Sequence, residues 1–453
     1  MISPSTLYRG SVGAGFEGWM KDAPLLAMST QLLAMARPRA VMIIKCRTPG
    51  DAHLSPAITI SLPQSEQGHH ITIIQWLVFT NWSILTIGTS LGSVLFFSTK
   101  GSLLLRQVFY SIPVLQLQVQ GDINFGDLAA LVVVYASALV RIDMTELQPL
   151  LRKSLHDAEV RPKRGMFGTV AVANPNTPKV VYEIWDISRN TGRASDCVDG
   201  VISGPMALPL FETRQSKLRH FCAITAGPNN VFRIHRLSED KSSTIASIIM
   251  NTILPAAWST FTRFTRFFWQ DSEEESQPLE ARPQEFGRAS LVTALRDEPR
   301  KGERIALSPS GTLAALTDSL GRILLIDTQA LVVIRLWKGY RDAHCFFFDV
   351  PVNVTPPSHA LSTSATNYRR KQDYILSLAI YTIRRGTLEV WELRNGPRLC
   401  IIKCGHDFSV IQPANPLYGS EVSSLTSYVP TELYILHRIS GEVTAIKPQM
   451  PSN

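Results

Sequence analysis

The sequence holds no phosphate loop, no H-E-x-x-H pair and no G-x-S-x-G turn, so three familiar routes to hydrolysis leave no string in it. None of its ten histidines stands with an acid and a nucleophile in a spacing that suggests a triad. Cysteine is scarce: six lie at 46, 197, 222, 345, 400 and 404. Only Cys400 and Cys404 are close, with no second pair or histidine cluster beside them, which argues against zinc. This usage fits a reducing compartment, and a chain of 453 residues can build its core without a metal or disulfide staple. Runs of like charge are missing too. The net charge of +8 is spread over short groups such as Arg152-Lys153, Lys163-Arg164, Arg369-Arg370-Lys371 and Arg384-Arg385. That pattern excludes a basic nucleic-acid tail and leaves two readings, solvated loops or an acidic partner surface. Neither a cofactor nor a metal is expected.

Charge is absent altogether from residues 71–99, a span of 29. A membrane helix is one reading of such a run, but Thr, Ile, Val, Trp and Phe dominate it, and Asn81, Gly88 and Ser90-Leu91-Gly92 interrupt it. Three consecutive strands fit better, with Asn81 inside one of them. Residues 25–36 mimic a signal peptide weakly, since Ser29, Thr30 and Gln31 break the apolar run. Gly13-Ala14-Gly15-Phe16-Glu17-Gly18 matches a dinucleotide fingerprint as a string. No strand precedes it, and Arg37 and Arg39 stand where an acid is needed.

What is present is a hairpin grammar. Residues 305–327 read I-A-L-S-P-S-G-T-L-A-A-L-T-D-S-L-G-R-I-L-L-I-D: three short apolar strands separated by turns at Pro309-Ser310-Gly311 and Asp318-Ser319-Leu320-Gly321. The same pattern recurs at Ser90-Leu91-Gly92, Arg384-Arg385-Gly386 and Ile439-Ser440-Gly441, each followed by an alternating strand. These repeats predict an all-β chain, a β-propeller of WD-like type with about seven irregular blades and an inserted amphipathic helix. The expected layout is a divergent segment at 1–65, the first blades at 66–240, a helical insertion and polar linker at 241–304, and the last blades at 305–453. In the insertion, Trp258, Phe261, Phe264, Phe268 and Trp269 share one helical face beside Arg263 and Arg266. That face either meets a membrane or partner groove or packs on the propeller side; the acids at 271–275 disfavour anionic lipid. Residues 350–372 read as a second long loop.

Propellers bind partners more often than they do chemistry, so the useful candidates are contact residues. The densest mixture is Trp337, Lys338, Gly339, Tyr340, Arg341 and Asp342, with the basic tip Arg384-Arg385 as a second. Two arrangements remain open for the first group. It is an exposed recognition turn, or Trp337 and Tyr340 pack between blades while Arg341 and Asp342 pair structurally.

With these residues in view, the chain resembles the N-terminal region of the regulatory, non-catalytic subunit of the Rab-3 GTPase-activating protein complex. The carrying blocks are residues 307–327, R-L-W-K-G-Y-R-D-A at 335–343 and A-I-Y-T-I-R-R-G-T-L-E-V-W-E-L-R-N-G-P-R at 379–398. Weaker echoes lie at 88–105, 113–117 and 138–143, and the aromatic stretch at 245–269 falls where that family carries an amphipathic insertion. Residues 1–65 show little likeness, and the resemblance implies a longer protein, since family members continue beyond residue 453 into a helical region; if that region carries the subunit contact, this chain is expected to be only a module. The resemblance implies no enzyme but a scaffold: a separate catalytic subunit supplies the arginine that stabilises phosphoryl transfer. The regulatory subunit holds the complex together and supports its action on Rab GTPases at vesicle and endoplasmic reticulum membranes. It also implies a cytoplasmic location with peripheral membrane contact, and an association of the assembled complex with nucleotide exchange on a second, endoplasmic-reticulum Rab. A generic WD-like scaffold with other protein partners is the alternative.

Overall fold

Short strands, each with one or two apolar faces, bury those faces only by stacking, and here they stack in a ring. The computed structural model describes residues 9–11, 17–20, 25–46, 56–121, 129–160, 180–188, 197–206, 220–241, 286–352, 373–393, 396–417 and 428–446. After β1 (Arg9–Ser11) and a single helical turn, α1 (Glu17–Met20), the described residues form seven four-stranded antiparallel blades. Blade 1 is β2 (Leu25–Met28), β3 (Leu32–Arg37), β4 (Ala40–Lys45) and β5 (Ile58–Ser61). Blade 2 is β6 (Ile71–Phe79), β7 (Ser83–Thr89), β8 (Ser93–Ser98) and β9 (Leu103–Val108). Blade 3 is β10 (Val114–Gln120), β11 (Ala130–Tyr135), β12 (Ala138–Asp143) and, after helix α2 (Met144–Val160), β13 (Glu183–Asp186). Blade 4 is β14 (Asp199–Pro205), β15 (His220–Ala226), β16 (Phe232–Lys241) and β17 (Gly287–Leu295). Blade 5 is β18 (Gly302–Leu307), β19 (Leu313–Asp318), β20 (Arg322–Asp327) and β21 (Val332–Lys338). Blade 6 is β22 (Ala343–Pro351), β23 (Tyr374–Thr382), β24 (Thr387–Glu392) and β25 (Arg398–Lys403). Blade 7 combines β26 (Phe408–Ile411), β28 (Tyr434–His437) and β29 (Glu442–Ala445) with β1, which pairs with β29 from Arg9↔Thr444 to Ser11↔Glu442. The two-residue strand β27 (Pro416–Leu417) lies between β26 and β28 in sequence and joins blade 2 instead.

The first strands of neighbouring blades approach one another and form the inner wall; the fourth strands face outwards. Apolar clusters fill the seams all the way round. Trp76, Leu85 and Phe97 meet Val41 and Ile43 between blades 1 and 2; Leu77 and Phe96 meet Val133 and Val140 between blades 2 and 3. Met35 and Ile44 of blade 1 meet Leu436 and Val443 of blade 7, so the seam that closes the ring is packed like the others. Each fully buried Leu, Ile or Phe contributes roughly 1.5–3 kcal/mol. The seams, rather than any one sheet, therefore hold the disc.

Antiparallel order assigns every connection to a face. Links from first to second and from third to fourth strand emerge on one side; second-to-third and blade-to-blade links emerge on the other. The tight hairpins at Gly92, Gly321, Gly386 and Gly441 all belong to the second side, and each of these glycines has positive φ, as their turns require. The first side carries α2, whose Met144, Leu147 and Leu151 are buried in the seam of blades 2 and 3. That side also carries the segment after β26. Gln412 donates to the Phe347 carbonyl at 2.8 Å, Ala414 N–H donates to Met28 at 2.8 Å, and β27 then pairs in parallel with β6. The segment thus crosses the inner strands of blades 6, 1 and 2 in turn.

Several expectations need correction. The N-terminal stretch set apart at 1–65 supplies a whole blade and the closing strand. The stretch 241–304, expected to be insertion and linker, contains β17 at Gly287–Leu295 and the start of β18. R-A-S-L-V-T-A-L is a half-exposed outer strand without aromatics, and its weak apolar signal is masked by the polar residues around it. Asn81 lies in the turn between β6 and β7, while the three strands expected over residues 71–99 are β6, β7 and β8. The longer of the two described α-helices is α2, in the link from β12 to β13. The aromatic stretch with Trp258, Phe261, Phe264, Phe268 and Trp269 lies outside the described residues, as does most of the loop at 350–372. No helix among the described residues is long and apolar enough to cross a membrane.

Candidate partner-binding surface

Three turns meet on the tight-hairpin side of blades 5 and 6. The first is Asp318-Ser319-Leu320-Gly321. The Asp318 carboxylate accepts the N–H groups of Leu320 at 3.0 Å and Arg322 at 2.8 Å, and its other oxygen pairs with the buried Arg300 guanidinium. One side chain therefore closes the hairpin and anchors it to the preceding connection. The second turn, Gly339 to Asp342, leads from blade 5 into blade 6. Its Tyr340 N–H donates to the Gly321 carbonyl at 2.8 Å. A Cβ on Gly321 would stand 2.7 Å from Arg341 Cγ, so glycine is needed for space as well as for φ. Asp342 sits at φ 53°, a region that Asp tolerates better than most residues. The third turn is Ile383 to Gly386, the tip of blade 6.

The two basic candidates converge here. Arg384 Nε lies 2.5 Å from Asp342 Oδ2, and Arg385 Nη2 donates to the Gly339 carbonyl at 3.1 Å. Lys338, Arg341, Asp342, Arg384 and Arg385 are all exposed. Leu320 and Ile383, which sequence reasoning passed over, are exposed at the same turn tips and add apolar anchors. An exposed ion pair such as Arg384–Asp342 adds little stability, so its value lies in fixing one loop against the other.

Trp337 and Tyr340 are not part of the exposed group. Both are buried in the seam between blades 5 and 6, which settles the two open arrangements in favour of packing for these residues. Trp337 meets Trp391 edge to face at 6.2 Å, and the Arg335 guanidinium stacks over both rings. Arg335 also donates to the carbonyls of Glu392 at 2.7 Å and Gly396 at 3.0 Å, tying blade 5 to blade 6. Tyr340 donates its hydroxyl to Glu389 at 2.8 Å; burial, then the bond to that carboxylate, pushes the phenol up to about 12. Trp391 Nε1 and Arg398 complete the ring of donors around Glu389.

The surface offers charge, hydrogen-bond donors and two aliphatic tips. On the inner wall nearby, Arg304 donates to His344 at 3.3 Å, and burial followed by the Arg304 charge lowers His344 to about 4, so its imidazole is neutral at physiological pH. Burial raises the thiols of Cys345 to about 12 and of Cys404 to about 11, so both stay protonated at neutral pH. Among the described residues no group of three or more His, Cys, Asp or Glu is placed to hold a metal ion.

Compared with known proteins, residues 19–411 match the family described as Rab3 GTPase-activating protein regulatory subunit N-terminus. The chain belongs to this family. The match begins inside α1 and takes in blade 1, so the likeness extends well into the segment read as divergent. The Caenorhabditis elegans Rab3 GTPase-activating protein regulatory subunit is 30% identical over 103 residues, which is 23% of this chain and 6% of that protein. Among solved structures, Sqt1 of Saccharomyces cerevisiae aligns at a TM-score of 0.46 and 12% identity, covering 94% of this chain and 84% of that one. Sqt1 of Chaetomium thermophilum aligns at 0.47 and 12%, covering 93% and 82%.

Proposed function

We propose that this chain is the propeller module of a non-catalytic regulatory subunit, and that its turn surface on blades 5 and 6 docks the catalytic subunit of a Rab GTPase-activating complex. The family match over residues 19–411 carries this reading. The turn surface supports it. Five exposed charged residues from two loops are held rigidly by Asp318, Gly321 and the Tyr340–Glu389 bond, and a preorganised patch loses little freedom on binding. In this reading none of its arginines enters the GTPase site. The chain works in the cytoplasm, at the surface of vesicle and endoplasmic reticulum membranes, by positioning a partner that acts on Rab GTPases.

The test is capture from lysate with the full-length subunit. Recovery of the catalytic subunit by wild type, with loss of about tenfold or more in affinity for Lys338→Glu/Arg341→Glu at unchanged melting temperature, is the expected result. Reproducible failure of the full-length wild type to recover that subunit would favour a scaffold for other proteins. GTPase acceleration by this chain alone would contradict the non-catalytic assignment.

A further inference from the structure

An outer strand with a bare edge is a template for another chain, and sheet proteins ordinarily blunt such edges. Several blades do so here. Blades 1 and 7 end in strands of four and three residues, β5 and β1. In blade 2, α2 packs against β9. Blades 3 and 4 turn their outer strands toward each other, where β13 meets β17 at Trp185↔Gly287; beyond that pair β17 shows two exposed aliphatics, Leu291 and Val292, against four on β21. Blade 6 brackets β25 with Arg398 and Lys403.

Blade 5 is different. Its outer strand β21, V-V-I-R-L-W-K, is seven residues long and pairs only with β20 among the described residues. Val332 is 50% exposed, Val333 43%, Ile334 44% and Leu336 43%. Four aliphatic side chains on one unpartnered edge exceed what an outer strand needs for its own sheet. The edge is also held in place. Arg335 reaches the carbonyls of blade 6, and Trp337 is buried in the seam, so the strand is fixed at its second half. A bulge at Ile334 interrupts the register with β20 and separates Val332–Val333 from the anchored part.

The charges say what fits. The end of β21 on the tight-hairpin side carries Lys338, with Arg341 just beyond; of the other charges there, Arg322 pairs with Asp297 at 3.6 Å and Asp342 pairs with Arg384. At the other end the Asp327 carboxylate is already engaged by the N–H groups of Gln329 and Ala330. The β21 of a second copy, V-V-I-R-L-W-K, carries no acid to answer this end.

We propose that β21 is a docking strand for an extended, aliphatic or β-branched segment of another protein, carrying acidic residues at the end that lies beside Lys338 and Arg341. The segment adds a fifth strand to blade 5: main-chain hydrogen bonds hold it, its apolar side chains cover Val332, Val333 and Leu336, and its acids answer the basic end. This inference does not rest on the family reading, and the two can fail separately.

A displayed library of random short peptides, selected on wild type and counter-selected on Val333→Lys/Leu336→Lys, tests it. Both positions are exposed, and the melting temperature of the variant confirms folding. Enriched peptides should alternate β-branched or aromatic residues and end in Asp or Glu. They should bind the variant about tenfold or more weakly and slow hydrogen exchange at 332–338. Failure to find any peptide that distinguishes the two proteins overturns the proposal, as does enrichment of basic peptides. Sedimentation showing a wild-type dimer that the variant abolishes would give the edge to a second copy instead and also overturn it.

Discussion

Between blades 3 and 4, Trp185 is wholly buried, donates its indole N–H to the Ser238 carbonyl at 2.8 Å and packs on Phe221, over which the buried Arg141 guanidinium stacks at 4.5 Å. Between blades 5 and 6, Trp337 meets Trp391, and Arg335 stacks over both. The chemistry of the two seams is alike, but the backbone is not. The first seam is closed on the outside by β13 against β17. At Gly287 any Cβ would come within 2.4 Å of the Trp185 nitrogen, so glycine alone allows that approach. The second is bridged by the Arg335 side chain and leaves β21 uncovered among the described residues. The contrast teaches that one part of the ring is built to be sealed, while another is fixed firmly and left open.

The sharpest way to break the comparison is Trp185→Ala. It removes a fully buried ring and its hydrogen bond, and should lower unfolding free energy by about 3–5 kcal/mol in denaturant titration. A loss below about 1 kcal/mol would mean that this seam does not depend on its tryptophan. Tyr340→Phe probes the other seam. It leaves Glu389 short of one donor and should destabilise by about 1–3 kcal/mol, with little effect on the exposed loops. Arg335→Lys keeps the charge but gives up the planar stack and the fork of bonds to blade 6; about 1 kcal/mol is expected, with faster hydrogen exchange along β21. If exchange there is unchanged, the bridge does not set the rigidity of the edge.

A pH experiment bears on the link between blades 4 and 5. Asp199 accepts the N–H of Ile305 at 2.7 Å and of Gly200 at 2.8 Å, yet burial raises its carboxyl to about 7. A carboxyl with a folded-state value above its unfolded one contributes stability that is complete below about pH 4 and lost as pH rises through about 7. Asp199→Asn cannot titrate. The stability of wild type minus that of the variant should therefore fall from acid to neutral pH, and a difference that is flat or rises would refute the assignment. The smallest stability effect belongs to Arg341→Ala, within about 0.5 kcal/mol, since the residue is exposed.

Much of the fold was legible because turn chemistry is local. Gly321, Gly386 and Asp318 carry their meaning in a few neighbouring residues, and the strands around them alternate plainly. Blade 1 was hidden since L-L-A-M and A-V-M-I-I-K are buried on both faces and show no alternation. α2 was missed although Leu147, Leu150 and Leu151 follow helical spacing, because β-rich surroundings made another strand or loop the default reading. The candidate surface was half legible. That Arg384 would reach Asp342 depends on the angle between two blades, which no string records. Burial of Trp337 and Tyr340 depends likewise on a neighbouring blade.

The pairing of β1 with β29 has a consequence in time. Thr444, the partner of Arg9, emerges from the ribosome some 20–90 s after it at roughly 5–20 residues per second. Throughout that interval the first strand lacks its native neighbour and the ring stays open at one place. Shortening the front of the chain to a start beyond Ser11 would leave β29 as a permanently unlatched rim.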